Sequence, residues 1–217
     1  MKSSVPSRHA NPFATCWTRP GAIPFRFENG VNAELLTAQL AAQNWRGAII
    51  GPHGSGKSTL LETLKPALTA AGRNFHFIAL RDHQRHLPRE AFAALERVAT
   101  NRLLIVDGYE QLARLERVRL AWHCHRRECG LLVTAHASVS LPTLITLTPS
   151  PALVEQLVGN LCAEVSTPVT TNQVTASHAR HGSNVREIFF DLYDHYEQVR
   201  RIGRTSVAHG AYSNPPS

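Results

Sequence analysis

The chain has 217 residues, a formal net charge of +7, 43% hydrophobic residues and 18% charged residues. A chain of this length can bury a core without disulfides. Its hydrophobic and charged fractions exclude wholesale disorder. Its apolar runs are too short to span a bilayer. The first ten residues lack an apolar stretch, so we expect no secretory signal and a cytoplasmic protein. The basic sequence pI of about 9.7 is compatible with a nucleic-acid partner, although an ordinary basic surface is the simpler explanation.

The first half of the chain predicts an irregular arm followed by alternating helices and strands. The arm covers residues 1–30, where four prolines interrupt regular structure. The predicted elements after it are a helix over 33–44, a strand over 47–50, a loop over 51–58, a helix over 59–71, a strand over 75–80 and a helix over 88–99. Pro66, inside the second of these helices, predicts a kink or an early end.

The second half of the chain continues this alternation and then becomes helical. The predicted elements are a strand over 103–106 ending at Asp107, a helix over 109–128, strands over 131–134 and 144–147, and helices over 152–164, 171–181 and 184–202. The order predicts an α/β domain over residues 31–150, with a mainly parallel five-stranded sheet between helices. A small helical lid is predicted over 151–202, and we expect the polar, Pro-containing tail over 203–217 to be disordered.

The four cysteines do not match a disulfide scaffold for a chain of this size. They are Cys16, Cys124, Cys129 and Cys162. His125 and Cys129 are spaced i, i+4 and would share a helix face, but no second pair with zinc-ligand spacing follows. We therefore expect reduced cysteines and not a zinc site.

The strongest signal is the segment GPHGSGKS from Gly51 to Ser58, which fits the phosphate-loop pattern G-x-x-x-x-G-K-[ST] between a strand and a helix. Its glycines allow backbone conformations that aim N–H groups at an anion, and the helix N-terminus adds to this cradle. Lys57 is expected to contact the β- and γ-phosphates of ATP, and the Ser58 hydroxyl to bind Mg²⁺. The predicted nucleotide-binding residues are Gly51, Pro52, His53, Gly54, Ser55, Gly56, Lys57, Ser58 and Thr59.

A second motif, LLIVD over 103–107, has four apolar residues that end in an acid, which matches the Walker B pattern. Ligands of open α/β sheets bind at the carboxyl ends of the strands, so Asp107 is expected to hold Mg²⁺ together with Ser58. Many ATPases place Glu directly after this Asp, whereas Gly108 stands here. Glu110 is the candidate for orienting the attacking water. Alternatively, it only begins the next helix, where a carboxylate favours the dipole.

Two further segments resemble those of a known family. The segment LLVTAH over 131–136 looks like the strand that ATPases of the additional-strand class insert between their two motif strands. This resemblance implies that Thr134 is a sensor-1 residue close to the γ-phosphate, with His136 as a second candidate. A simple capping role for Thr134 at the strand end stays open.

The segment SNVRE over 183–187 resembles the start of the sensor-2 helix of AAA+ ATPases, especially the bacterial replication initiators of the DnaA type. The resemblance implies that Arg186 reaches the nucleotide phosphates. The alternative is that Asn184 and Glu187 only form a good helix start, in the manner of a capping box.

The sequence departs from this family because no Arg or Lys occurs over 131–179, where AAA+ oligomers supply an arginine finger. Arg126 and Arg127 could substitute, although they also suit a helix end. The gap favours a monomeric or conditionally assembled switch over a ring motor. The guanine-reading pattern N-K-x-D is absent, which favours adenine. Candidate adenine neighbours are Trp17, Arg19, Phe25 and Phe27, although packing of the aromatic rings in the core is the simpler explanation.

Together these features favour an ATP-binding, Mg²⁺-dependent ATPase that acts as a nucleotide-controlled switch, with a protein partner or DNA and no membrane. The alternative is a nucleotide-dependent module that binds DNA or a protein with little hydrolysis. Its candidate contacts are Arg114, Arg117, Arg119, Arg200, Arg201 and Arg204. A small-molecule kinase ranks third, with an acceptor site that would use Arg81, Asp82 and Arg85.

Overall fold

The computed structural model describes residues 11–81, 83–88, 101–163, 165 and 167–210. The chain divides into two compact units, Ile23–Thr148 on the one hand and Met1–Ala22 with Pro149–Ser217 on the other. No helix among the described residues is long and apolar enough to cross a membrane. The helix predicted over 88–99 lies outside the described residues apart from its first position.

The described elements alternate between helices and strands up to residue 146 and are helical afterwards. In chain order they are α1 (Thr15–Thr18), α2 (Ala33–Ala42), β1 (Arg46–Ile50), α3 (Lys57–Ala70), β2 (Asn74–Ala79), β3 (Arg102–Asp107), a 3₁₀ turn (Tyr109–Gln111), α4 (Arg114–Arg126), β4 (Gly130–Ala135), β5 (Thr143–Thr146), α5 (Pro151–Cys162), α6 (Thr171–His181) and α7 (Val185–Gly210). The unit Ile23–Thr148 contains the α/β part of this series.

The five strands form one parallel sheet in the order β2-β3-β4-β1-β5. Strand β4 therefore lies between β1 and β3, as the additional-strand resemblance implies. Its residues pair directly with both neighbours, with Thr134 opposite Ile49 of β1 and Val133 opposite Val106 of β3. The predicted α/β fold with a five-stranded sheet is confirmed.

Side chains of alternate residues enter two separate cores, because successive residues of a strand point to opposite faces of the sheet. Leu103 and Ile105 of β3 join the core formed with α2 and α3, which includes Leu60. Leu104 and Val106 join the core formed with α4, which includes Leu120. Strand β3 is thus buried on both faces, which explains why its sequence is a continuous apolar run and not an alternating one.

The other unit holds the helices α1, α5, α6 and α7. Phe13 is fully buried, and its ring centroid lies 6.3 Å from that of Phe189 on α7. The side chain of Asn11 donates to Glu197 over 2.9 Å. The predicted irregular arm over 1–30 is thus divided at Ala22, with its first described residues held by helix α7.

The predicted helix over 109–128 is wrong in its first part. It consists of the 3₁₀ turn and helix α4, separated by Leu112 and Ala113 in extended backbone. The Ala113 N–H donates to the Arg85 carbonyl over 3.0 Å, and the Arg117 side chain donates to the Leu112 carbonyl over 2.9 Å. These contacts satisfy backbone groups that a continuous helix would have paired internally.

Two helices extend further than the earliest end that the sequence allowed. Helix α3 continues through Pro66 to Ala70 because its buried leucines, among them Leu64 and Leu68, hold it against the sheet. Helix α7 continues to Gly210, eight residues into the segment over 203–217 for which disorder was expected. Gly203 alone costs a helix about 1 kcal/mol relative to Ala, which is too little to end one.

Candidate nucleotide-binding site

The candidate site lies at the carboxyl edge of three adjacent strands. The phosphate loop follows β1, Asp107 ends β3, and His136 follows β4. Because these strands are neighbours in the order β3-β4-β1, residues far apart in the sequence meet at one edge. All of them belong to the unit Ile23–Thr148.

The conformation of the phosphate loop requires glycine at two positions. Gly56 precedes α3 with φ +93°, and a Cβ there would lie 3.5 Å from the ring of Phe25. A Cβ on Gly51 would lie 2.5 Å from the Ser55 hydroxyl and 2.9 Å from the Leu147 carbonyl oxygen. Side chains at either position would therefore distort the loop by strain or by collision.

Donor groups in this loop fit a bound phosphate. No side chain caps the N-terminus of α3, where unpaired N–H groups and the helix dipole favour an anion. The Ser55 hydroxyl is buried and has no hydrogen-bond partner within the described residues. The Lys57 ammonium is also buried and donates to the Gly51 and Pro52 carbonyls, each over 2.7 Å. The loop thus gathers a cation and an unsatisfied hydroxyl around one cradle.

Beside the loop, a carboxylate and two hydroxyls form a small oxygen cluster. The Ser58 hydroxyl donates to Asp107 Oδ2 over 2.6 Å, and the Thr134 hydroxyl donates to Asp107 Oδ1 over 2.6 Å. Thr134 is fully buried and accepts in turn from the Gly108 N–H over 2.8 Å. One carboxylate and one hydroxyl next to a phosphate cradle suit Mg²⁺, which prefers oxygen ligands and commonly shares substrate phosphates with the protein.

Glu110 lies against His136, which contacts the loop. Its Oε1 is 2.7 Å from His136 Nε2, and its buried Oε2 has no hydrogen-bond partner within the described part of the chain. His136 Nδ1 lies 3.3 Å from the Lys57 ammonium. The rings of His136 and His53 stack with centroids 3.6 Å apart. One imidazole therefore joins the phosphate-loop lysine to a carboxylate.

The pKa of His136 is lowered, first by burial and then by the positive charge of Lys57 and by His53, while Glu110 acts in the opposite direction. His136 Nδ1 also lies 3.3 Å from the Gly51 carbonyl oxygen. With its proton on Nε2, neutral His136 can donate to Glu110 and accept from Lys57 at Nδ1. That tautomer satisfies both charged neighbours.

The structure brings most of the predicted site residues together. Lys57, Ser58, Asp107, Thr134 and Glu110 meet at this edge of the sheet through the contacts given above. Thr59 lies half-buried in the first turn of α3. The pairing of His136 with Glu110 was not predicted, although His136 was noted as a second sensor candidate because it follows β4.

Arg186 belongs to the other unit, where it is exposed near the start of α7. Asn184 accepts from the Glu187 N–H over 3.3 Å, so the expected backbone cap is present. The sensor-2 role of Arg186 stays a prediction. Among the candidate adenine neighbours, Phe25 and Phe27 stack edge to face with centroids 5.0 Å apart and pack on the core of α2 and α3.

Arg117 is held inside its own unit. Its guanidinium donates to the Glu110 carbonyl over 2.7 Å and lies 5.6 Å from the Tyr109 ring centroid. With the bond to Leu112 described above, these contacts remove Arg117 from the candidate nucleic-acid contacts. Exposed positions among the remaining candidates include Arg114, Arg200 and Arg201.

For the kinase alternative, Asp82 lies outside the described residues, as does the side chain of Arg204 for the DNA alternative. Arg81 and Arg85 are exposed. Among the described residues, no group of three His, Cys, Asp or Glu could hold a metal ion by itself. Cys124 and Cys129 are buried in the α4 core, where hydrogen bonding between them raises the pKa of Cys124 and lowers that of Cys129.

No protein-family model matches the sequence, and a search of the curated proteins finds no match. Solved structures do match the fold. AMPPCP-bound DnaA from Aquifex aeolicus is 14% identical with a TM-score of 0.52, over 79% of this chain and 62% of that one. The replication initiator DnaA bound to AMPPCP and single-stranded DNA is 14% identical with a TM-score of 0.51, over 79% and 63%.

The RuvB Holliday junction branch migration motor from Thermotoga maritima is 15% identical with a TM-score of 0.49, over 72% of this chain and 57% of that one. The chain thus spans less than two thirds of the length of these neighbours. At this identity, the likeness to DnaA concerns the fold. The strand order and the phosphate loop agree with this likeness: the chain has the fold of a P-loop NTPase of the additional-strand class, similar to that of DnaA.

Proposed function

We propose that the chain binds ATP together with Mg²⁺ and hydrolyses it, acting as a nucleotide-controlled switch. The observation that carries this proposal is the contact of 2.6 Å between the Ser58 hydroxyl and Asp107. It joins the phosphate loop to the acidic end of β3 at the point where a metal bound to phosphates would need both. Two solved neighbours contain the adenine-nucleotide analogue AMPPCP, which supports adenine as the base.

In this proposal, the phosphate loop binds the phosphates, and residues at the strand ends position Mg²⁺ and the attacking water. The N-terminus of α3 and the Lys57 ammonium hold the phosphates, and Ser58 and Asp107 hold Mg²⁺. When bound, Mg²⁺ neutralises charge on the β- and γ-phosphate oxygens. Thr134 keeps the Asp107 carboxylate turned toward Ser58, because it occupies the second carboxylate oxygen. Hydrolysis then depends mainly on positioning and charge.

Glu110 is the proposed base for the water that attacks the γ-phosphorus. His136 holds Oε1 over 2.7 Å, so this proposal assigns the water to Oε2, which is buried and has no hydrogen-bond partner among the described residues. The water oxygen bonds to phosphorus, the bond between the γ-phosphorus and the β,γ-bridging oxygen breaks, and the proton passes to Glu110. ADP and inorganic phosphate are the products. For Arg186, the support is its resemblance to a sensor-2 residue, which would add charge stabilisation in the same step.

The proposal is tested by substituting the loop lysine. We expect Lys57→Ala to lower ATP affinity at least about tenfold, since an interaction with a charged phosphate worth about 1.5–3 kcal/mol is lost. Lys65→Ala is the matched control, because Lys65 lies on the same helix but pairs with Glu62 over 2.6 Å. The measurement is titration calorimetry with ATP and Mg²⁺. Equal ATP affinity in the wild-type chain and Lys57→Ala would sink the proposal.

The rate of phosphate release separates the alternatives once binding is established. Release from ATP and water alone supports the ATPase. Binding without release supports a module that uses nucleotide only to control a partner, and a strict dependence on an added acceptor supports a kinase. The rate is measured with and without single-stranded DNA, because one solved neighbour, the replication initiator DnaA, is bound to it.

A further inference from the structure

Helix α4 carries an exposed apolar stripe. Leu115, Val118 and Trp122 are 84%, 68% and 57% exposed. Their spacing of i, i+3 and i+7 places them on one face over about two turns. Isolated exposed apolar residues are ordinary on protein surfaces, whereas three in line on one helix form a continuous patch.

The opposite face of the same helix is anchored in the core. Leu120 and Cys124 are fully buried there, in the cluster that also contains Leu104 and Val106 of β3. These two residues anchor the second half of the helix in the core, and the stripe on the opposite face is exposed among the described residues. A fixed helix presents its side chains in a defined register, which a docking partner can match.

The stripe has basic borders. Arg114 and Arg126 are exposed, and the Arg126 guanidinium lies 5.0 Å from the centroid of the Trp122 ring. Arg119 is also exposed, and its guanidinium lies 3.6 Å from the Glu116 carboxylate. Glu116 is the one acidic residue in the sequence of α4, and its side chain is largely buried. The exposed face of α4 thus combines apolar surface with positive charge.

We propose that this face of α4 docks an amphipathic helix of a partner protein whose apolar stripe is bordered by Asp and Glu. Such a helix would cover Leu115, Val118 and Trp122 with its own apolar residues. Its carboxylates would lie opposite Arg114 and Arg126, and this complementarity sets orientation and rate of encounter. The proposal concerns a surface outside the nucleotide site and does not depend on hydrolysis.

Two other occupants fit this face less well. A second copy of the chain would bring the same arginine borders and a further net charge of +7, so that like charges would face each other. Nucleic acid would pair its phosphates with the arginines but would leave the apolar surface of Leu115 and Val118 in water. Only Trp122 on the stripe could stack on a base, whereas binding of single strands uses successive aromatic side chains.

The probe is a synthetic helical peptide of about 20 residues, long enough to form a helix in water. It carries Leu at i, i+3 and i+7 and Glu on both borders, and a matched peptide carries Lys in place of Glu. Fluorescence anisotropy measures binding of each peptide to the full chain. We expect micromolar affinity for the acidic peptide and at least tenfold weaker binding of the basic one.

Variants of the protein locate the binding surface. We expect the double variant Leu115→Ser with Trp122→Ser, and separately Arg114→Glu with Arg126→Glu, to weaken the acidic peptide at least tenfold. Leu35→Ser is the matched control, because Leu35 is an exposed leucine on α2 of the same unit, and it should bind as the wild type does. Circular dichroism establishes that each variant retains its helix content.

Three results would overturn the proposal. The first is that both peptides bind equally well, or that neither binds detectably at a protein concentration on the order of 1 mM, where even a weak complex would form. The second is an oligonucleotide that loses binding in the arginine variant but not in the leucine–tryptophan variant, which would make this a nucleic-acid surface. The third is a dimer in analytical ultracentrifugation that the leucine–tryptophan variant dissociates, which would make a second copy the occupant.

Discussion

At the scale of single residues, Thr134 links the sheet to the candidate metal site. Its hydroxyl donates to Asp107 Oδ1 and accepts from the Gly108 N–H, and the residue is fully buried. A carboxylate oxygen of half-buried Asp107 and the amide of half-buried Gly108 both bond to this one group, so its removal leaves two polar atoms unpaired. The strand-end capping role and the positioning of Asp107 therefore depend on the same hydroxyl group.

Replacing Thr134 by Val keeps the shape of the side chain and removes the hydroxyl. We expect the free energy of unfolding to fall by about 1–3 kcal/mol, because the unpaired groups lose their partner inside the protein. Urea denaturation followed by circular dichroism measures this change. Thr134→Ser keeps the hydroxyl and should lose less. A Val variant as stable as the wild type would contradict the interpretation.

Glu110 and His136 can be separated by their kinetics. We expect Glu110→Gln to lower ATP turnover by about 10²- to 10⁴-fold, the usual contribution of a general base, with little change in ATP affinity. His136→Ala should lower kcat by a smaller factor, since it removes the group that holds Glu110 Oε1 while the carboxylate remains. Steady-state phosphate release gives both values. Turnover in Glu110→Gln equal to that of the wild type would exclude Glu110 as the base.

The residues at the site differ in how far the sequence could reveal them. Ser58 and Asp107 belong to motifs whose spacing and neighbouring strands predict their place, and the structure brings them together. The pairing of Glu110 with His136 could not be predicted, because it depends on two segments meeting through the order of strands and on a 3₁₀ turn in place of a helix. Local pattern contains neither fact.

At the scale of elements, α4 divides its apolar residues between core and surface. Leu120 faces the core cluster, whereas Leu115, Val118 and Trp122 face solvent. Sequence periodicity alone does not show which apolar stripe of a helix is buried, because both have helical spacing. The positions of the strands were easier to predict than the buried face of a helix, since a short apolar run such as 103–106 is bounded by polar residues; β3 extends one residue beyond it at each end.

The two sides of α4 should respond differently to truncation. We expect Leu120→Ala to lower the free energy of unfolding by about 2–5 kcal/mol, because it leaves a cavity in the core. Leu115→Ala should change it by no more than about 0.5 kcal/mol, since its side chain is exposed. Urea denaturation of both variants makes the comparison. Similar losses for the two would mean that α4 packs in another register.

At the scale of the whole molecule, the proposed nucleotide binding would be linked to the stability of the unit Ile23–Thr148, because the candidate site is built from its loop and strand ends. A ligand at 100 times its dissociation constant stabilises the state that binds it by about 2.7 kcal/mol. Arg186 lies in the other unit, and the effect of nucleotide on the stability of that unit has to be measured separately.

We therefore expect ATP with Mg²⁺ to raise the thermal midpoint of unfolding, and EDTA to remove most of that gain. Differential scanning calorimetry at several ATP concentrations measures the change. Lys57→Ala should show a clearly smaller rise at each ATP concentration, because its ATP affinity is expected to be lower, and Lys65→Ala should follow the wild type. A rise of the same size in Lys57→Ala would assign the stabilisation to a site other than the phosphate loop.

The single guanidinium of Arg117 joins helix α4 to the backbone carbonyl of Glu110. The same guanidinium also donates to the Leu112 carbonyl, so Arg117 ties α4 to the segment that carries Glu110. If occupation of the outer face of α4 alters the affinity for nucleotide, nucleotide must alter the affinity of that face by the same factor, because binding free energies are reciprocal. The hydrogen bond between Arg117 and the Glu110 carbonyl would then couple nucleotide binding at the phosphate loop to partner binding on α4, in both directions.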